Sequence, residues 1–72
     1  MNEYLKKYIE LQKKFNEPKG KSESVRALHA FKEELEQMED LQAKEVLVNV
    51  YNLLDYKKSA YDLLCKIGDK SD

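Results

Sequence analysis

The 72 residues carry 13 basic and 14 acidic side chains, two glycines, one proline, one histidine and one cysteine. That is the size of one small domain, with no internal disulfide and no His-rich metal site to staple its thin core. A net charge of −1 excludes bulk electrostatic attraction to nucleic acid or anionic lipid.

Apolar residues come in runs of at most three, as in Val46-Leu47-Val48, so neither a signal peptide nor a membrane span is expected. A lone thiol suits a reducing compartment, and a bacterial-type cytosol is the expected location. Strand signals are missing: there is no sustained alternation and no Asn-Gly or Asp-Gly turn. Leu, Lys, Glu, Ala and Gln dominate, and all are helix formers. The expected fold is all-α, with four short helices forming two antiparallel α-hairpins.

The first helix is expected over 3–15, with Asn2 as its N-cap. Tyr4, Tyr8, Leu11 and Phe15 share one stripe at helical spacing, widened by Leu5 and Ile9, and the lysines lie opposite. Residues 16–22 contain Pro18 and Gly20 and read as a linker. The second helix is expected over 23–39, opening after Ser22 or Ser24, with Val25, Leu28, Phe31, Leu35 and Met38 on its apolar side. The segment 32–45 sets Glu33, Glu34, Glu36, Glu39, Asp40 and Glu45 against only Lys32 and Lys44.

No proline or glycine interrupts residues 22–67, so hydrophobic phase must locate the remaining breaks. Past Asp40 the apolar stripe rotates by roughly 100°, and a continuous helix would not bury both halves. A third helix is therefore expected over 41–54, capped by Asp40 and burying Ala43, Val46, Leu47, Val50, Leu53 and Leu54. A second slip at Asp55, itself a candidate cap, starts a fourth helix over 56–67. Its stripe is Tyr56, Ala60, Leu63, Leu64 and Ile67. Gly68 is the expected C-terminal stop, and residues 69–72 the expected polar tail.

Leu47, Tyr51, Ala60 and Leu64 stand at a characteristic spacing, in which a small alanine on one helix meets a Leu and a Tyr on the preceding one. In this respect residues 44–67 resemble a tetratricopeptide-type helical hairpin. Lys44 stands where that family has a large residue, Val48 where it has a small one, and no proline closes the unit. The resemblance implies a hairpin whose axes approach closely and whose surface binds a protein.

Little in the chain supports chemistry. His29 neighbours Glu33 and Glu36 on a polar helix side, where it reads as an exposed histidine among solvated acids; no closed zinc ligand set occurs. Exposed carboxylate pairs lack the burial that would split their pKa values. Cys65 has Lys58 and Lys66 nearby but no base. Gly20-Lys21-Ser22 lacks the first glycine of a phosphate loop and follows no strand. The lysines of the first helix are diluted by Glu10 and include no arginine, so no nucleic-acid partner is expected. No catalytic residue, metal or cofactor is expected either.

What remains is surface. Tyr61 and Cys65 fall about 100–150° away from the main stripe of the fourth helix, as if that helix had a second neighbour. Chance explains the placement as well, Tyr tolerating the rim and Cys being small; otherwise the expected neighbour is a partner protein or another copy of the chain in a homodimer. Val48, expected on the polar side of the third helix, belongs with them. Glu33, Glu36, Glu39 and Asp40 form a candidate acidic surface, similar in character to that of bacterial immunity proteins that neutralise toxins. The expected role is a small non-enzymatic protein-protein interaction protein. A toxin-neutralising protein is one alternative; a subunit of a composite enzyme or a nucleic-acid-associated factor is another.

Overall fold

Asn2 and Asp40 each begin a helix, as their short oxygen-bearing side chains dictate. In the computed structural model, which describes residues 2–71 and the side chains of 2–68, both adopt extended backbone. Asn2 Oδ1 accepts from the Tyr4 N–H at 2.8 Å, and Asp40 Oδ1 accepts from the Gln42 N–H at 2.9 Å. Each bond satisfies a backbone donor that the helix itself leaves open. The helices are α1 (Glu3–Phe15), α2 (Lys21–Glu36), α3 (Leu41–Leu53) and α4 (Lys57–Ser71). The described residues contain no strand.

Four of the expected boundaries are corrected. α2 does not open after Ser22 or Ser24. It opens at Lys21, with Gly20 in the cap position and no side-chain cap bond. The Ser24 N–H donates to the Gly20 carbonyl at 2.9 Å. Ser24 is instead buried inside the helix, its Oγ donating to the Lys21 carbonyl at 2.8 Å. A Cβ at Gly20 would stand 3.2 Å from the Lys14 carbonyl oxygen, a tight approach that a glycine avoids. α2 also ends at Glu36, short of 39, where Gln37 and Met38 bond back to the Glu34 and Leu35 carbonyls in a tightened final turn.

Asp55 does not cap α4. It takes a left-handed backbone, with φ of 68°, and closes α3. The Asp55 N–H donates to the Asn52 carbonyl at 3.1 Å, and the Tyr56 N–H to the Tyr51 carbonyl at 2.7 Å. This is a Schellman ending with aspartate at the position glycine usually takes. Its customary apolar contact is the edge-on meeting of Tyr51 and Tyr56, ring centroids 6.3 Å apart. The Tyr56 carbonyl then accepts from the Ala60 N–H at 3.0 Å to start α4. Gly68 does not stop α4, which runs on to Ser71. Gly68 lacks a positive φ, so it cannot serve as a left-handed cap. Of the expected polar tail, 69–71 are helical and Asp72 lies outside the described residues.

α1, α2 and α3 pack on one another, whereas α4 packs on α3 alone. The molecule is accordingly long and flat, 43 × 26 × 17 Å. Leu11, Leu28, Phe31, Leu35, Ala43, Val46, Leu47 and Val50 form the buried cluster, flanked by Tyr4, Tyr8, Phe15 and Leu63. Leu28, Phe31, Leu35, Val46, Val50 and Ala60 are buried as their wheel positions predict.

Three positions depart from the expectation, and α4 explains the first two. Val48 is not on a polar side: it is 6% exposed. Helical geometry puts it about 160° around α3 from Val46 and Val50, away from the α1–α2 core, on ground that α4 covers. Leu64 is not core: it is 52% exposed. Ala60 and Leu63 supply the contact with α3, and no other helix reaches the far side of α4. Tyr56, also placed on the apolar stripe, is 41% exposed.

Leu35 is fully buried, so Leu35→Asp would strand a charge at a cost of several kcal/mol and should abolish the cooperative helical melt followed by circular dichroism. Leu64→Asp, at an exposed position, should melt within about 0.5 kcal/mol of the parent chain. Asp55→Gly should stabilise by about 0.5–1 kcal/mol by removing the left-handed strain of a residue with a Cβ, read as a higher melting temperature.

Candidate functional site

Because α2 and α4 both lean on α3 without touching each other, an open groove of about 680 Å³ separates them. The end of α2 and the following turn supply one wall through Leu35, Met38 and Glu39. Leu41 and Leu47 of α3 form the floor, and Leu63, Lys66 and Ile67 of α4 form the other wall. Lys44 and Glu36 complete the rim. The tight turn capped by Asp40 leaves Leu41 48% exposed, beside half-buried Met38. The lining is thus aliphatic in its floor and charged at its edges.

One end of the groove is fixed by a polar and aromatic cluster. The Tyr51 hydroxyl donates to Glu36 Oε2 at 2.6 Å, and Lys32 Nζ stands 3.7 Å from Glu36 Oε1. Lys32 Nζ also lies 5.7 Å from the centre of the Tyr56 ring, and His29 meets that ring edge-on at 6.0 Å. His29 is therefore half-buried against an aromatic, which corrects its reading as an exposed histidine among solvated acids. His29, Lys32 and Glu36 recur at i, i+3 and i+7 along α2, so one side of α2 grips both Tyr51 of α3 and Tyr56 of the α3–α4 turn. Burial, and after it the hydrogen bond and charge of Glu36, hold the Tyr51 hydroxyl well above the usual tyrosine range.

The residues singled out from the sequence scatter across this frame. Tyr61 is 68% exposed and Cys65 is exposed, both on the outer side of α4. Val48 lies inside, apart from them. Of the four acids, Glu33 and Glu39 are exposed, Glu36 is engaged by Tyr51 and Lys32, and Asp40 is the cap of α3. Only Glu36 and Glu39 come to the groove. Sequence reasoning missed the groove because Leu63 and Ile67 sit on an apolar stripe, which marks a buried side without saying whether a neighbour arrives to cover it.

No three acidic, histidine or cysteine side chains among the described residues gather as a metal site. No helix among them is long and apolar enough to cross a membrane. Comparison with protein-family models, curated proteins and solved structures finds no match to this chain.

Tyr51→Phe should cost about 1 kcal/mol, the worth of one hydrogen bond to a carboxylate at a partly exposed position, visible as a fall of several degrees in melting temperature. The pH dependence follows from the raised Tyr51 pKa. Its stabilisation is complete below the unfolded value of about 10 and is lost as pH rises beyond it. Thermal melts of the parent chain should therefore fall more steeply above pH ~10 than those of Tyr51→Phe.

Proposed function

We propose that this chain is a non-catalytic protein-binding module that seats an amphipathic helix of its partner between α2 and α4. The groove carries this reading. Aliphatic side chains line it on three sides, yet no part of the described chain fills it. One wall is a helical ridge of residues three and four apart, Leu63, Lys66 and Ile67 of α4, and the other is the turn after α2, with Met38 and Glu39 beside buried Leu35. Such ridges accept the complementary ridges of a further helix. A helix laid there would cover Leu41 and complete the bundle that α4 leaves open.

The rim says what would flank the apolar stripe of that helix. Glu36 and Glu39 edge the α2 wall and Lys66 edges the α4 wall. A basic residue on one flank and an acidic one on the other would orient the ligand and oppose its reversal. The α3–α4 hairpin serves as a tetratricopeptide-like element in this reading, with Ala60 allowing the close approach and Leu47 and Tyr51 facing the ligand. A reducing cytosol suits the exposed Cys65, which would stay a thiol there.

The experiment is a differential capture from source lysate, using the parent chain and Leu41→Glu as baits. Leu41 is exposed, so this change should leave the fold intact while placing a charge in the groove floor. A protein held by the parent chain should bind the variant about 5–30-fold more weakly. Equal retention by both baits would sink the reading.

A further inference from the structure

Two carboxylates edge the α2 wall of the groove, and they are held differently. Glu39 stands exposed in the turn after α2. Glu36 is tied down: its Oε2 accepts the Tyr51 hydroxyl at 2.6 Å. Its Oε1 has Lys32 Nζ at 3.7 Å, too long for a hydrogen bond. Lys32 stands outside the groove lining, over the Tyr56 ring. Taking the groove as the seat of a partner helix, the reading on which this inference rests, we propose that Glu36, oriented by Tyr51, anchors a cationic side chain of that helix.

An ionised carboxylate has about four acceptor positions, and Tyr51 uses one of them. The others suit the N–H groups of a guanidinium or an ammonium. Tyr51 adds order to this. A mobile glutamate loses rotamer freedom when a ligand grips it, whereas Glu36 is already restrained by its bond to α3. Burial, and after it Glu36 itself, hold the Tyr51 hydroxyl above the usual tyrosine range, so it keeps its proton and remains the donor. Glu36 is left as a pre-oriented acceptor at the groove edge.

The surrounding charge has the matching sign. Residues 32–45 build the end of α2, the turn and the start of α3, and they hold six acids against two lysines. The field on that wall attracts a basic flank and repels an acidic one. Lys66, exposed on the opposite wall, offers the contrary anchor for an acidic flank. The Glu36 side chain is 39% exposed, so water screens the contact and its effect is modest.

Three synthetic helical peptides test the assignment. They share leucines at i, i+3, i+4 and i+7 and carry arginine, glutamine or glutamate along their flanks. With the full chain in low salt, the arginine peptide should bind about fivefold more tightly than the glutamine peptide. Added salt should shrink that difference. Glu36→Gln should remove it. Glu33→Gln takes the same charge from α2 outside the groove lining and should keep it. Tyr51→Phe leaves the carboxylate but frees it, so the arginine-to-glutamine ratio should narrow while the glutamine peptide binds as before. Equal weakening of all three peptides would make Tyr51 a matter of fold alone and overturn its orienting part. Equal binding of the arginine and glutamine peptides by the parent chain overturns the proposal. So does a preference that survives Glu36→Gln, or tightest binding of the glutamate peptide. Each of these leaves the groove standing as a helix seat. Binding of no peptide, or binding indifferent to Leu41→Glu, refutes the groove itself and the anchor with it.

Discussion

α3 touches every other helix, and no other helix does. It must therefore be apolar on two separate sides, which a helix of thirteen residues achieves only by giving up most of its polar positions. Ala43, Val46 and Val50 meet α1 and α2, and Val48 lies under α4, roughly half a turn away. The consequence is visible in the burial of five α3 residues, against one in α1 and four in α2. With little polar surface left, α3 depends on its ends for backbone satisfaction. Asp40 supplies one end, and the left-handed Asp55 the other.

The polar contacts divide by whether they join elements that the core already joins. Lys7 and Glu34 stand 3.8 Å apart with both side chains about half exposed, and a pair of that kind adds little. Lys7 does more through its stem and charge over Phe31, 5.0 Å from the ring centre, where it shields the rim of the core. The Tyr51–Glu36 hydrogen bond differs in kind. It ties α2 to the residue from which the α3 ending is built, and Tyr56 extends the same cluster to the start of α4. The direction in which α4 leaves α3, and hence the width of the groove, is set there.

The sequence announced its helices through periodicity and its clearest boundaries through side chains with one local use. Asn2 and Asp40 are examples: an Asn or Asp ahead of an apolar run has few other roles. Asp55 shows the limit of that logic. The same residue type that caps a helix start also tolerates a left-handed backbone, and here Tyr51 and Tyr56 meet across the turn as the apolar contact of that ending, a pairing that reading Asp55 as an N-cap does not weigh. Gly68 misled for the opposite reason, since glycine ends a helix only when its φ turns positive. Leu64 and Val48 exchanged their expected places because a wheel treats each helix as having one buried side. The position of α4, packed on α3 alone, inverts that assumption at both residues. The groove follows from the same fact.

α4 has two unlike sides. Leu63 and Ile67 face the groove, and Tyr61, Leu64 and Cys65 face away from it. α4 is held by one neighbour, and Ala60 is its one buried side chain among the described residues. Anything that binds only the docked helix stabilises that docking by mass action.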